Sequence, residues 1–166
     1  MTLSDSRVAV YTGSFDPITL GHLNVIERCS RLVDRLVVGI GVNVEKQSLF
    51  SSEERVELVE RATRHLDNVE VRAFSGLAVT FVRDCGSRVM LRGVRSLGDI
   101  EAEFTMTLAN RKLDPEIETV FLMADDEFSH VSSTLIKQIA ALANDDELAR
   151  FVPAQIVPDI RRKMQN

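Results

Sequence analysis

Several features that would place a chain of 166 residues in a specialised class are missing from this sequence. It has only two cysteines, Cys29 and Cys85, at no recognised pairing distance, so we expect two reduced packing residues rather than a disulfide. No apolar run is long enough to span a bilayer, and the first residues lack a positively charged segment followed by an apolar one. We therefore expect a cytoplasmic protein that does not act in a membrane.

An excess of positive charge is also missing. The formal net charge is -5, and a phosphate polymer would be repelled on average, so we predict no nucleic-acid partner. A small anionic ligand is still compatible with this charge if basic residues converge locally. No low-complexity segment, internal repeat or linker divides the sequence, so residues 1–166 are expected to form a single domain.

The apolar residues that are present follow two alternating periods. Short β-branched runs predict strands, and the apolar residues between them recur at helical spacing. The predicted strands are Arg7–Tyr11, Leu36–Val42, Val69–Phe74, Val89–Leu91 and Thr119–Met123. Because the connections are short, the pattern predicts an α/β fold: a Rossmann-like, doubly wound, parallel five-stranded sheet with helices on both faces.

Two of the predicted helices carry additional information. The helix from about Gly98 to Leu113 has two apolar stripes, and two apolar faces need two partners, one of which could be another subunit. The stripes are Ile100, Phe104 and Leu108, and Ala102, Met106, Ala109 and Leu113. A later helix is predicted to open at Ser132 and to run to about Asn144.

The segment from Gly13 to His22 connects the first strand to the first helix. Its glycines let the backbone approach an anion closely, Pro17 stiffens the loop, and the N–H groups that open the helix favour negative charge. His22 can donate a hydrogen bond to a phosphate oxygen. The segment contains neither a P-loop nor Gly-x-Gly-x-x-Gly. An ordinary strand–helix turn capped by Thr19 would use the same residues, so Thr-x-Gly-His alone leaves both interpretations open.

Other polar residues follow the predicted strand ends. They are Lys46, Arg92, Arg95 and the Ser132–Thr134 run. Each has an ordinary explanation by itself, as a solvated lysine, a charged strand end or a helix cap. The carboxyl ends of parallel strands meet at one edge of the sheet, and together these groups could hold two anionic ligands there.

The same segments carry a family resemblance. Gly-Ser-Phe-Asp-Pro-Ile-Thr-Leu-Gly-His resembles the loop of bacterial phosphopantetheine adenylyltransferases, in the nucleotidylyltransferase superfamily. Arg92–Arg95 is similar to their Arg-Gly-hydrophobic-Arg motif, and Val131–Thr134 to their Ile-Ser-Ser-Ser/Thr motif. The resemblance runs from residue 8 to about residue 160.

This resemblance implies an enzyme that transfers the adenylyl group of ATP to 4′-phosphopantetheine, giving dephospho-coenzyme A and pyrophosphate. It implies a homohexamer, and Mg²⁺ entering with ATP rather than in a protein metal cage. The implied catalytic residues are His22, Lys46 and Arg95. The implied acceptor-binding residues are Ser14, Lys46, Leu77, Ala78 and Arg92. The implied ATP-binding residues are Ser14, Phe15, His22, Gly93, Val94, Arg95, Glu103, Phe128, Ser129, His130, Val131, Ser132, Ser133 and Thr134.

Two alternatives to this interpretation stay open, and several residues differ from the usual pattern of the family. The acceptor could instead be nicotinamide mononucleotide or glycerol phosphate, or the chain could be a catalytically silent nucleotide-binding module. Thr12 replaces a common proline, Ala102 a frequent tyrosine and Phe128 a common tryptophan. Asp125 and Asp126 bring two acids to the nucleotide loop, which leaves the fit of residues 128–130 open.

Overall fold

The computed structural model describes residues 6–42 and 47–165, and Lys46 lies outside the described residues. Five parallel strands form one sheet in the order β3-β2-β1-β4-β5. They are β1 Val8–Gly13, β2 Arg35–Gly41, β3 Val69–Phe74, β4 Val89–Val94 and β5 Glu118–Met123. The chain winds outward from β1 in one direction through β3 and in the other through β5, which confirms the predicted doubly wound fold.

The helices follow the strands in chain order. They are α1 Leu20–Ser30, α2 Ser52–Thr63, α3 Ala78–Asp84, α4 Leu97–Leu113, α5 Ser133–Ile139, α6 Asp145–Leu148 and α7 Val157–Met164, with single 3-10 turns at Asp126–Phe128 and Ala154–Ile156. No helix in the described part of the chain is both long and apolar enough to cross a bilayer.

Helices cover both faces of the sheet because adjacent strand residues point to opposite sides. On β1, Ala9 and Tyr11 join the larger hydrophobic cluster, which includes residues of α1, α2 and α7. Val10 between them joins a smaller cluster on the other face, with Val79 and Val82 of α3. This alternation is the period of two expected of a strand that is covered on both faces.

The helix predicted to extend from Ser132 to about Asn144 is shorter than expected. α5 ends at Ile139, and the chain turns before α6 begins. Two sets of contacts follow Ile139: Arg161 of α7 donates to the Ala140 and Ala143 carbonyls, and the Asn144 side chain accepts the N–H of Glu147, which reaches back to the Asn144 N–H. This reciprocal capping box starts a helix, so Asn144 cannot continue the previous one.

α4 packs differently from the other long helices. None of its residues is buried within the described chain, and Phe104, Met106, Leu108 and Leu113 are each more than half exposed. Neither of the two predicted apolar stripes is therefore fully covered by the described residues, whereas Glu103 on the same helix is half-buried and faces Arg92.

Candidate active site

A cavity of about 320 Å³ opens where the strand order reverses, between the carboxyl ends of β1 and β4. In doubly wound sheets this crevice is where ligands bind. It brings together Ser14 and Phe15 after β1, His22 on α1, Arg92, Gly93 and Arg95 at the end of β4, Glu103 on α4, and Val131, Ser132, Ser133 and Thr134 at the start of α5. Eleven of the predicted site residues thus line one cavity, although they are distributed over more than a hundred positions of sequence.

The remaining predicted residues lie elsewhere. Val94 is the buried last residue of β4, next to the cavity-lining Gly93. Leu77 is more than half exposed just before α3, and Ala78 packs against the smaller hydrophobic cluster. These two positions are compatible with a surface that receives the acceptor's pantetheine arm, and that role stays a prediction.

The predicted nucleotide loop after β5 covers the beginning of α1. A Cβ atom added at Gly21 would lie 3.6 Å from the Cβ of Phe128, so the two segments are in van der Waals range. The His130 ring packs edge-on against Phe151 at a centroid distance of 5.9 Å. Phe128, Ser129 and His130 do not line the cavity, and their contact with ATP stays a prediction.

The loop after β1 has an unusual backbone. Phe15 has φ +46°, a conformation that is costly for a residue with a Cβ, yet its ring is almost fully buried. The ring packs edge-on against Tyr11 and His22, with centroid distances of 5.3 and 4.9 Å. A Cβ at Gly13 would lie 2.8 Å from this ring, so the ring position requires glycine there. The buried Phe15 ring therefore packs against the ring of the catalytic candidate His22 and helps to fix its position.

His22 is held in one tautomer by the residue that caps its helix. The Thr19 N–H donates to His22 Nδ1 at 3.1 Å, while the His22 N–H donates to the Thr19 hydroxyl at 3.3 Å. Because Nδ1 accepts, the neutral ring carries its proton on Nε2. Burial, together with the positive charges of Arg95 and Arg92, lowers the pKa of His22 to about 4. At neutral pH the side chain therefore offers one uncharged N–H donor.

Arg92 bridges three elements. Its Nε and Nη2 donate to the two oxygens of Glu103, with Nε to Oε2 at 2.7 Å, and its Nη1 donates to the Thr12 carbonyl. The side chain is about a quarter exposed. A bidentate pair fixes the orientation of a guanidinium as well as its position. Thr12, whose role the sequence did not indicate, thus helps to aim the arginine from β1.

Arg95 is held in a similar way at the other side of the cavity. Its Nε and Nη2 donate to Asp99 at 3.0 and 3.2 Å, and its Nη1 donates to the Val131 carbonyl at 2.7 Å. Burial alone would raise the pKa of Asp99, but hydrogen bonds from Arg95 outweigh it and the pKa is lowered. The arginine therefore stays paired at neutral pH and connects α4 to the start of α5.

The Ser132–Thr134 run serves partly as the cap that its composition suggested. The Ser132 hydroxyl accepts the Leu135 N–H at 3.1 Å and caps α5, and the Ser133 hydroxyl donates to the Pro17 carbonyl at 2.8 Å. The second contact ties α5 to the loop after β1. Capping and lining of the cavity are thus combined in one segment.

The two acids of the nucleotide loop do not line the cavity. Asp125 accepts hydrogen bonds from Arg28 Nη1 at 3.0 Å and from Asn24 Nδ2 at 2.7 Å, both on α1. Asp126 begins a 3-10 turn. The negative charge of Asp125 is therefore balanced by Arg28 outside the cavity, while the fit of residues 128–130 to a nucleotide stays a prediction.

Sequence reasoning missed Asp16, although it lies within the analysed loop. Its carboxylate is 4% exposed and accepts the N–H groups of Leu49 and Phe50 at 2.8 and 2.9 Å and the ammonium of Lys137 at 2.7 Å. The sequence gives no signal of this burial, because an acidic residue in a loop is ordinarily solvated. Through these bonds the loop after β1 is anchored to the segment before α2 and to α5.

The chain is similar to known proteins over most of its length. A family model described as cytidylyltransferase-like matches residues 10–139. A phosphopantetheine adenylyltransferase of Rhodopirellula baltica is 64% identical over 158 residues, which covers 95% of this chain and 88% of that protein. A protein of the same name from Clostridium botulinum is 48% identical over 160 residues, covering 96% of each.

Solved structures with lower sequence identity share the fold. The nicotinic acid mononucleotide adenylyltransferase of Plasmodium falciparum, complexed with NaAD, has a TM-score of 0.72 at 12% identity and covers 95% of each chain. A bifunctional NMN adenylyltransferase/ADP ribose pyrophosphatase of Francisella tularensis has a TM-score of 0.68 at 13% identity, covering 95% of this chain and 50% of that one. These likenesses concern the architecture alone.

Proposed function

Because the chain belongs to the phosphopantetheine adenylyltransferase family, we propose that its cavity binds ATP and 4′-phosphopantetheine and transfers the adenylyl group between them. The products are dephospho-coenzyme A and pyrophosphate, in the biosynthesis of coenzyme A. The observation that carries the proposal is the neutral His22, with Nε2–H as its donor, beside two arginines held in place by carboxylates. This arrangement suits charge development on a phosphoryl group without proton transfer.

The proposed reaction is a direct displacement at the α-phosphorus of ATP. An oxygen of the acceptor phosphate forms the new P–O bond, and the bond from the α-phosphorus to the bridging oxygen of pyrophosphate breaks. The phosphate monoester has a second pKa near 6 and is already ionised at neutral pH, so no general base is needed. Catalysis then rests on positioning and on stabilising the charge of the α-phosphate.

Three residues are proposed to act on the reacting groups. His22 donates from Nε2 to a non-bridging oxygen of the α-phosphate as the transition state forms. Arg95 neutralises ATP phosphate charge, and Lys46, which is outside the described residues, holds the acceptor phosphate with its positive charge. Their positive or donating groups act where charge accumulates during the displacement.

The remaining assignments follow the resemblance residue by residue. Arg92 and Ser14 hold the acceptor phosphate, and Leu77 and Ala78 contact the pantetheine arm. The ATP-binding set consists of Ser14, Phe15, His22, Gly93, Val94, Arg95, Glu103 and residues 128–134. Glu103 has two roles in this proposal: it contacts ATP, and it orients Arg92.

Mg²⁺ is proposed to enter with ATP and to be held by phosphate oxygens and water. Among the described residues, no three His, Cys, Asp or Glu side chains lie together as a metal cage, and the two carboxylates of the cavity are engaged by Arg92 and Arg95. When bound, the ion would neutralise phosphate charge. No residue of the chain is assigned to it.

We further propose a homohexamer in which other copies cover the exposed side of α4. Phe104 and Met106, each 58% exposed, support this assignment, as do Val120 and Met123 on the edge strand β5, which are also exposed. An apolar patch of this kind marks an association surface. A cytoplasmic location and a single domain over residues 1–166 stay predictions of the sequence.

The function is tested by pyrophosphate release from ATP and Mg²⁺ with each acceptor offered separately. Turnover is expected with 4′-phosphopantetheine and at least about 100-fold less with nicotinamide mononucleotide or glycerol phosphate. Turnover with either of these acceptors instead would preserve the mechanism and change the substrate. ATP binding without turnover on any acceptor would favour a silent nucleotide-binding module.

A further inference from the structure

One arginine outside the predicted site is buried directly behind it. Arg55, on α2, is 4% exposed, and its Nη1 donates to the Ser14 carbonyl at 2.8 Å and to the Gly41 carbonyl at 3.1 Å. Its Nε donates to the Ser51 carbonyl in the preceding turn at 3.3 Å. No carboxylate of the described residues lies within ion-pair distance. A buried guanidinium that binds backbone carbonyls is costly to maintain, so its position calls for a reason.

The contact with Ser14 has a consequence for the next residue. In a planar trans peptide the C=O and the N–H point in opposite directions. Since the Ser14 carbonyl points to Arg55 on α2, the Phe15 N–H points away from α2, and both Ser14 and Phe15 line the cavity. No hydrogen bond joins the Phe15 N–H to any described residue. The donor is therefore available to a ligand.

We propose that Arg55 is a positioning residue that holds the Ser14–Phe15 peptide with its N–H directed at the ATP phosphates. The proposal rests on the function proposed above and adds a residue to its machinery. Phe15 has φ +46°, so the loop needs an external interaction to keep this peptide orientation. A second orientation would turn the Ser14 carbonyl toward the phosphates, where oxygen would face oxygen.

Arg55 acts on a second segment at the same time. The Gly41 carbonyl is at the end of β2, and Gly41 pairs with Phe74 at the end of β3. One guanidinium nitrogen thus joins the carboxyl ends of β1 and β2, the edge at which the ligands gather. Its positive charge lies behind the loop after β1, residues 14–19, which we call the phosphate loop, and it adds to the attraction of anions without occupying the cavity.

The test compares Arg55→Met and Arg55→Lys with Arg61→Met. Arg61 is on the same helix and pairs with Asp159 on α7, away from the cavity, so its loss is the control for a structural effect on α2. For Arg55→Met we expect kcat/KM for ATP to fall about 100-fold per folded active site, with a smaller loss of affinity for 4′-phosphopantetheine, because Arg92 still holds the acceptor phosphate that Ser14 also contacts in the proposed function. Arg55→Lys retains the charge and should recover part of this loss, whereas Arg61→Met should lower only the thermal midpoint.

ATP binding measured by calorimetry separates this proposal from the proposed function. If the wild-type chain binds ATP but turns over no acceptor, the function fails, and weaker ATP binding by the Arg55 variants would still support the positioning role. Wild-type kcat/KM and ATP affinity in folded Arg55→Met would overturn it. If that variant does not fold, unchanged ATP kinetics in Arg55→Lys would overturn it, because lysine cannot reproduce the guanidinium geometry.

Discussion

Helix α4 has two sides that differ in their contacts: one faces the cavity between β1 and β4, and the other faces outward. On the cavity side, Glu103 and Asp99 of α4 grip Arg92 and Arg95 through paired hydrogen bonds. On the outer side, Phe104 and Met106 extend from the helix without cover from the described chain. The polar side is organised by contacts within one chain, whereas the apolar side is the surface that the proposed assembly would cover. The difference indicates which properties one chain completes by itself and which depend on assembly.

The largest expected effect comes from a substitution at the cavity. His22→Ala should lower turnover by about two orders of magnitude or more, while folding and ATP binding stay near normal, because His22 lines the cavity and acts on the reacting phosphate in the proposed mechanism. Pyrophosphate release gives the rate, and circular dichroism verifies the fold. Unchanged turnover would remove His22 from the mechanism.

The second prediction concerns the outer side of α4. Phe104→Lys should shift the assembly toward smaller species, since each buried phenylalanine side chain contributes on the order of 2 kcal/mol to an interface, and a charge would oppose burial. Light scattering coupled to size exclusion measures the mass. Leu32→Lys is a matched control, because Leu32 is also 58% exposed but lies after α1. An unchanged mass for Phe104→Lys would show that α4 is not the association surface.

The third prediction compares two acids that hold arginines. Asp99→Asn keeps the shape of the side chain but weakens its hold on Arg95, so we expect kcat/KM for ATP to fall about tenfold. Asp125→Asn weakens the corresponding hold on Arg28 outside the cavity and serves as the control. Equal losses in the two variants would contradict a special role for the Arg95 pair.

The smallest expected effect is on stability at acidic pH. The pKa of His22 is about 4 in the folded chain, whereas an unperturbed histidine, as in the unfolded chain, has a pKa of about 6.5, so between these values the unfolded chain binds a proton that the folded chain does not. Folding stability should therefore fall as the pH decreases from 6.5 to 4. Replacing His22 by Gln should make the free energy of unfolding less dependent on pH. The change in slope should be smaller than about 1.4 kcal/mol per pH unit, which is the value for one full proton, since the ring is only half-buried.

Denaturant unfolding at several pH values measures this slope. His65→Gln, which removes an exposed imidazole paired with Glu27, controls for the loss of a histidine. Parallel stability curves for wild type and His22→Gln would indicate that the His22 ring does not contribute to acid sensitivity.

Much of the fold was predictable because its signals are local. Strand β3 has the predicted bounds, and the local Ser51–Glu54 capping box begins α2. The site motifs were also predictable as a set, because parallel strands deliver their carboxyl ends to one edge. The sequence did not show that α5 would stop at Ile139, since the Arg161 side chain that binds the Ala140 and Ala143 carbonyls comes from α7, which is distant along the chain.

The sequence by itself determined the strand and helix order, the phosphate loop and the family. Only the tertiary structure decided how single side chains are used. Arg55 follows two glutamates on a helix, as a surface charge would, yet it is buried behind the phosphate loop. Arg28 and Asp125 pair across 97 positions. Periodicity depends on near neighbours along the chain, whereas burial and ion pairing depend on which distant segments the folded sheet brings together.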